Sequence, residues 1–200
     1  MKRLSFKDKQ FFKGMAVCNN FTKDQALQII SNNRLHDLQK EGYIQRISYQ
    51  DKHISTTKSQ HAYRLTDKGR DLCKDTLHCR HLGNGKHEVR HSVACADAYL
   101  KLTPEQRMNS LNEGEQRDYC FNQAYQLLSE GRIDEGQELI DQIRESSFVD
   151  LCVVTTTETT TEIICIEVIT SSYSADQVEA HAECAHEVLH CTTYETININ

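Results

Sequence analysis

Lys40-Glu41-Gly42-Tyr43-Ile44 and, downstream, Tyr63-Arg64-Leu65-Thr66-Asp67-Lys68-Gly69 decide how this chain is read. The first stretch ends a helix, because Gly42 follows a polar turn at the place where a left-handed residue costs glycine least. Tyr43 to Ser48 then has strand character. His61 to Leu65 reads as a second strand, and Thr66 offers the hydroxyl that caps a helix opening at Asp67. Between the strands lies a polar excursion, Tyr49 to Gln60. Helix, strand, wing, strand and helix in this order spell a winged helix.

Working outward, Ser5 to Asn19 carries Phe6, Phe11, Phe12, Met15 and Val17 at helical spacing and forms the first helix. Thr22 caps a second, Lys23 to Ile30, striped by Ala26, Leu27 and Ile30. Ser31 caps a third, Asn32 to Lys40. Leu35 and Leu38 must face the core, which turns Asn33, His36, Asp37 and Lys40 outward. This is the expected recognition helix, since Asn and Lys donors suit base edges in the major groove of double-stranded DNA. Asp37 can accept from cytosine, and Arg34 at the flank can reach phosphate. Asn32, Arg46 and Arg64 complete the expected DNA contacts, with Lys52, His53 and Lys58 of the wing on the backbone or minor groove. The bland alternative is a module for protein contacts whose charge is simply solvated.

Charge favours the first reading. Residues 1–86 hold 17 Lys+Arg against 8 Asp+Glu, a balance of +9, and residues 87–200 hold 6 against 21, a balance of −15. The net −6 averages two unlike halves, read as a winged-helix domain over 1–82 and an acidic α/β domain over 87–200. The N-terminus lacks an apolar signal-peptide core, and no stretch approaches the ~18 apolar residues of a membrane helix, so a cytoplasmic protein without a membrane partner is expected. Nine cysteines, an odd number with no C-x-x-C pair, point to buried thiols rather than a disulfide framework.

Cys73, His78, Cys79, His81, His87 and His91 crowd one tract, but their spacing fits no zinc-finger or ribbon pattern. His87-Glu88-Val89-Arg90-His91 and His186-Glu187-Val188-Leu189-His190 are both H-E-x-x-H strings. In a zinc peptidase such a string sets two imidazoles on one helical face with Glu as general base. His186, Glu187 and His190 are therefore candidate zinc ligands and base, although no third ligand is well placed after them. A wetted helix face is the competing reading.

In the acidic half, His87 to Leu102, a helix opened by Thr103-Pro104, Gln116 to Leu128 and Ile133 to Ile143 read as helices. The period then changes. Ser147 to Val154 and Glu162 to Thr170 read as a hairpin around a Thr-rich turn, Ser174 and Gln177 open a long helix, and Tyr194 to Ile199 forms a last strand. Asp150 and Glu167 fall on the paired strands, where two carboxylates can hold a divalent metal.

Asp150 in Phe148-Val149-Asp150 and Glu167 in Ile166-Glu167-Val168-Ile169 resemble the D…E-x-K signature of the restriction-endonuclease-like fold. Joined to an N-terminal winged helix and a histidine-led helix at His91, they make the chain resemble the replication-relaxation proteins of plasmids and conjugative elements. The resemblance implies an α+β protein, a winged helix followed by a degenerate nuclease-like core. In an active nuclease of this kind Asp150 and Glu167 would be catalytic and hold magnesium. Ile169 stands where the lysine belongs, however, and no Lys or Arg follows Arg144, so an inert core with structural acids is expected.

The expected function is that of a DNA-binding protein of a mobile element, serving mobilisation, replication or transcriptional regulation, with the acidic domain dimerising or recruiting a protein partner. The alternatives are an inhibitor whose acidic domain mimics nucleic acid, with an autoregulatory winged helix, and a metal enzyme, either a magnesium nuclease or a zinc peptidase. No cofactor is required by the leading reading.

Overall fold

Ser5 and Asp8 close a capping box at the start of α1 (Phe6–Cys18): Asp8 N–H donates to Ser5 Oγ at 3.1 Å, and Ser5 N–H donates to Asp8 Oδ2 at 2.9 Å. A computed structural model describes residues 4–49, 60–83 and 88–199. Its chain divides into two units, the first running to Ser110 and the second spanning Leu111–Asn198.

In the first unit α1 is followed by β1 (Asn20–Thr22), α2 (Lys23–Leu27), α3 (Asn32–Lys40), β2 (Ile44–Tyr49), β3 (Gln60–Leu65) and α4 (Asp67–Leu77). Thr22, Ser31 and Thr66 cap the three later helices through their hydroxyls. α3 stops in a Schellman turn, with Gly42 at φ 77°, its N–H on Gln39 O and the Tyr43 N–H on Leu38 O, both at 3.0 Å. The three strands form an antiparallel sheet of order β1-β3-β2, with Phe21 and Arg46 both opposite Tyr63. β1 has no counterpart in the sequence reading, because three residues are too few to show a period.

Phe11, Phe12, Phe21, Met15, Leu35, Leu38 and Ile44 fill the core, each at 2% exposure or less. Burial of side chains this size contributes about 1.5–3 kcal/mol apiece. Phe11 meets Phe12 and Phe21 edge-on.

Two further helices, α5 (Val89–Lys101) and α6 (Pro104–Met108), belong to this same unit. Tyr99 is fully buried against Phe21, and its hydroxyl donates to Gln10 O at 2.7 Å. Gln25 Nε2 donates to Val93 O at 2.8 Å and to Asp97 Oδ1 at 2.6 Å. The structural division therefore falls at 110/111, beyond the 82/87 division expected from charge. Residues 87–110 hold three basic and three acidic side chains, so moving the boundary across them leaves +9 and −15 unchanged, and charge could not locate it.

The second unit comprises α7 (Glu113–Ser129), α8 (Ile133–Glu145), β5 (Leu151–Thr156), β6 (Thr161–Thr170), α9 (Ala175–Glu183) continued by a π turn (Cys184–Val188), and β7 (Thr193–Ile199). The short β4 (Ser110–Leu111) precedes them in a sheet of order β4-β5-β6-β7. β5 and β6 pair antiparallel, with Leu151 opposite Ile166. Cys120, Ala124, Ile140, Ile143, Phe148, Val149, Cys152, Cys165 and Leu189 form one buried cluster. Gln116 is buried among them and donates from Nε2 to Val149 O at 2.8 Å. Helices with two small sheets make an α+β protein, as expected. The hairpin with its Thr-rich turn matches the expectation, whereas the single long C-terminal helix is replaced by an α segment and a π turn.

Candidate nucleic-acid interface

On α3 the apolar pair Leu35 and Leu38 is buried, and Asn32, Asn33, His36, Asp37 and Lys40 are exposed. The Ser31 cap and the Gly42 turn fix where the helix begins and ends, so this polar face is held on a rigid element. Lys68 braces its C-terminal end, donating from Nζ to Glu41 O at 2.7 Å and lying 4.3 Å over the Tyr43 ring.

Arg34 has a different setting from its neighbours. Its Nε donates to Asp8 Oδ1 at 2.8 Å and its Nη2 to Asp8 Oδ2 at 3.4 Å, tying α3 to the first turn of α1. Asp8 is buried, which alone would raise its pKa, but the Arg34 guanidinium and the Ser5 N–H and hydroxyl outweigh burial and hold the carboxyl below its usual range. The guanidinium expected at phosphate is thus engaged by a carboxylate of its own unit. Sequence reading missed Asp8 because a capping residue and an ion-pair partner look alike in one dimension.

Arg46 is exposed on β2. Arg64 is half-buried on β3, opposite Asn20 on one side and Gln45 on the other. Together with Arg70, Asn19, Met15 and Gly83 it lines a small cavity. Exposed Gln45 therefore adds a polar side chain beside Arg64 that the sequence did not single out. Lys52, His53 and Lys58 of the expected wing lie outside the described residues.

The candidates of the Cys/His tract are not gathered with one another into a single group among the described residues. Cys73 and Cys79 are buried, whereas His78 and His81 are exposed with φ of 54° and 51°. His87 lies outside the described residues, and His91 Nδ1 is 3.7 Å from Cys95 Sγ. In the second string the helix ends before His190, which has φ 50°, so His186 and His190 do not share a helical face. Among the described residues His186, Glu187 and His190 are not brought together as a three-ligand group.

Asp150 and Glu167 do meet, in a reciprocal clamp. Asp150 N–H donates to Glu167 Oε2 at 3.1 Å, and Val168 N–H donates to Asp150 Oδ2 at 2.9 Å. Glu167 is fully buried, and its Oε2 lies 3.6 Å from His181 Nδ1, a ring nitrogen also 3.0 Å from Phe148 O. Glu167 thus accepts from the backbone just before β5, and Asp150 from the backbone near the end of β6.

A family model described as replication-relaxation matches residues 20–126, more than half of the chain. This chain belongs to the replication-relaxation family. The family match begins at β1, takes in the α3 face and both strands that follow it, and ends inside α7; Asp150 and Glu167 lie beyond it. No curated protein and no solved structure matches the chain. Among the described residues no helix is long and apolar enough to cross a membrane.

Proposed function

We propose that this member of the replication-relaxation family is a double-stranded DNA-binding protein of a mobile genetic element, acting in plasmid mobilisation, replication or regulation. Its first unit is read as a winged helix that lays α3 in the major groove. The observation that carries this reading is the exposed row Asn33, His36, Asp37 and Lys40, opposite buried Leu35 and Leu38, on a unit with a charge balance of +9. The element order α1-β1-α2-α3-β2-β3-α4 and the β1-β3-β2 sheet support it. Asn33 and Lys40 are assigned to base edges, and Arg46, Arg64, Lys52, His53 and Lys58 to the sugar-phosphate backbone or minor groove. Arg34 is assigned to positioning α3 through Asp8.

The second unit is read as a non-catalytic, degenerate nuclease-like core that dimerises or recruits a protein partner. Its −15 balance opposes a second DNA segment. The clamp between Asp150 and Glu167 favours structural acids, since both carboxylates are engaged with strand backbone, and Ile169 supplies no ammonium group for a hydrolytic water.

Footprinting and a binding selection on the full chain at two salt concentrations test the proposal. A protected site whose affinity falls steeply as salt rises is expected, with a log–log slope of about −0.9 per phosphate neutralised. No duplex binding at low salt would refute it. Tight capture of a basic nucleic-acid enzyme by the second unit without duplex binding would favour the nucleic-acid mimic instead.

A further inference from the structure

Phe121 and Tyr125 stand one turn apart on α7 with their rings stacked, centroids 6.1 Å apart and planes 18° from parallel. Phe121 rests partly on the core cluster, whereas Tyr125 is 57% exposed. Leu128 extends the row at i, i+4 and i+7, which is one face of a helix. Leu128 also shows where that face lies. A Cβ on Gly136 of α8 would stand 2.7 Å from Leu128 Cδ2 and 3.1 Å from Ala124 O, so the missing side chain lets the two helices close on each other there. The stacked rings therefore form an aromatic step on the flank of α7 nearer α8.

The neighbouring helix supplies charge of one sign. On α8 Gly136, Ile140 and Ile143 are buried, and Asp134, Glu138, Asp141 and Glu145 are exposed at i, i+4, i+7 and i+11. At 3.6 residues per turn these four fall within about 60° of arc, opposite the buried side. They make an acidic stripe along the whole helix. From Glu113 to Glu145 the chain holds nine Asp+Glu against three Arg and no Lys, and each arginine is engaged within the second unit. Arg117 donates to Ile143 O at 2.6 Å and lies 4.7 Å over the Phe148 ring. Arg132 donates to Glu135 Oε1 at 2.9 Å, and Arg144 to Asp141 Oδ1 at 3.0 Å.

We propose that the stacked step of Phe121 and Tyr125, with the acidic stripe of α8 beside it, is the docking surface for a basic amphipathic helix of a protein partner. This rests on the reading of the second unit as a recruiting domain and names the chemistry it recruits. Charge decides among the occupants. A single strand of nucleic acid can stack bases on exposed rings, but its phosphates carry the sign of the stripe. A second copy of the unit brings another −15 to the same surface. A basic helix meets both demands, laying its apolar side on the rings and its Lys or Arg side chains along the carboxylates. A cation over the open face of Tyr125 adds to the attraction. Tyrosine is also among the residue types that concentrate binding energy at interfaces.

Fluorescence anisotropy on the full chain tests the surface, with a labelled amphipathic helix of leucine and lysine as the probe, roughly fifteen residues long so that it can hold helical form. Saturable binding is expected, weakened about tenfold or more by Tyr125→Ala and retained in Tyr125→Phe. Asp134→Asn combined with Glu138→Gln should weaken it several-fold and flatten its fall with salt. All of these positions are exposed, so the variants keep the fold, and thermal melting checks that they do. Duplex affinity should match wild type in each, which keeps the result separate from the DNA reading. No saturable binding of the lysine helix overturns both the surface and the recruiting role behind it. Binding that Tyr125→Ala leaves unchanged in folded protein overturns the surface alone and moves recruitment elsewhere. A single-stranded oligonucleotide released by Tyr125→Ala, or a dimer that this variant dissociates, would give the step to another occupant and overturn the proposal as well.

Discussion

Asp8 is a buried carboxylate with two duties, capping α1 and holding Arg34, and its titration follows from both. Free in an unfolded chain it titrates near ~3.9, and in the fold it titrates lower. A group whose folded pKa is depressed contributes stability above its unfolded value and loses it as pH falls through its folded value. Asp8→Asn should therefore cost about 2 kcal/mol at neutral pH, and the gap from wild type should shrink below about pH 4. Urea unfolding at several pH values measures that gap. On the DNA-facing side, Arg46→Ala should weaken duplex binding uniformly across sequences, whereas Asn33→Ala and Lys40→Ala should each relax preference at one position by about 1–3 kcal/mol. Binding selections on the three variants distinguish the outcomes, and unchanged behaviour in all three would remove α3 from the groove.

At the scale of elements, α4 can lie where it does only because Gly69 has no side chain. A Cβ there would stand 2.1 Å from Tyr43 O, at the start of the run into β2, beside the Thr66 hydroxyl that donates to Gly42 O at 2.6 Å. Backbone cannot yield as a flexible side chain would, so Gly69→Ala should cost about 2–3 kcal/mol, read as a lowered midpoint in thermal or urea melts. The β5–β6 hairpin depends on the clamp between Asp150 and Glu167 in a comparable way. Asp150→Ala leaves the Val168 N–H without that acceptor and should destabilise the chain by about 1–3 kcal/mol while leaving duplex affinity unchanged. Equal stability to wild type would mean the clamp contributes nothing. Magnesium-dependent nicking that disappears in this variant would restore the nuclease reading.

For the whole molecule, the position of the division carries a prediction about what folds alone. A fragment ending at residue 82 loses α5 and with it the Tyr99 ring against Phe21, the hydroxyl on Gln10 O and the acceptors of Gln25. It should expose apolar surface and melt without cooperativity, whereas residues 1–110 should fold and hold duplex DNA; circular dichroism melts of the two fragments decide this. The elements of the first unit were legible because their residues carry local markers: apolar spacing in α1, Thr22, Ser31 and Thr66 as caps, Gly42 as a stop. The α3 face was legible as well, since Leu35 and Leu38 alone fix which side chains turn outward. The site's other members were less so. Arg34 looked free until Asp8 was beside it, and the H-E-x-x-H string at His186 looked helical until the π turn carried His190 off the face.

By itself the sequence determined the α+β class, the order of the longer elements, the basic and acidic halves and the likeness to replication-relaxation proteins, because capping, periodicity and charge act between residues near in the chain. Only the tertiary structure decided that α5 joins the basic unit, that Arg34 is bound to Asp8, and that Asp150 and Glu167 clamp two strands. Those contacts join residues far apart in sequence, and their energies depend on burial and distance, which come into being only when the chain has closed on itself.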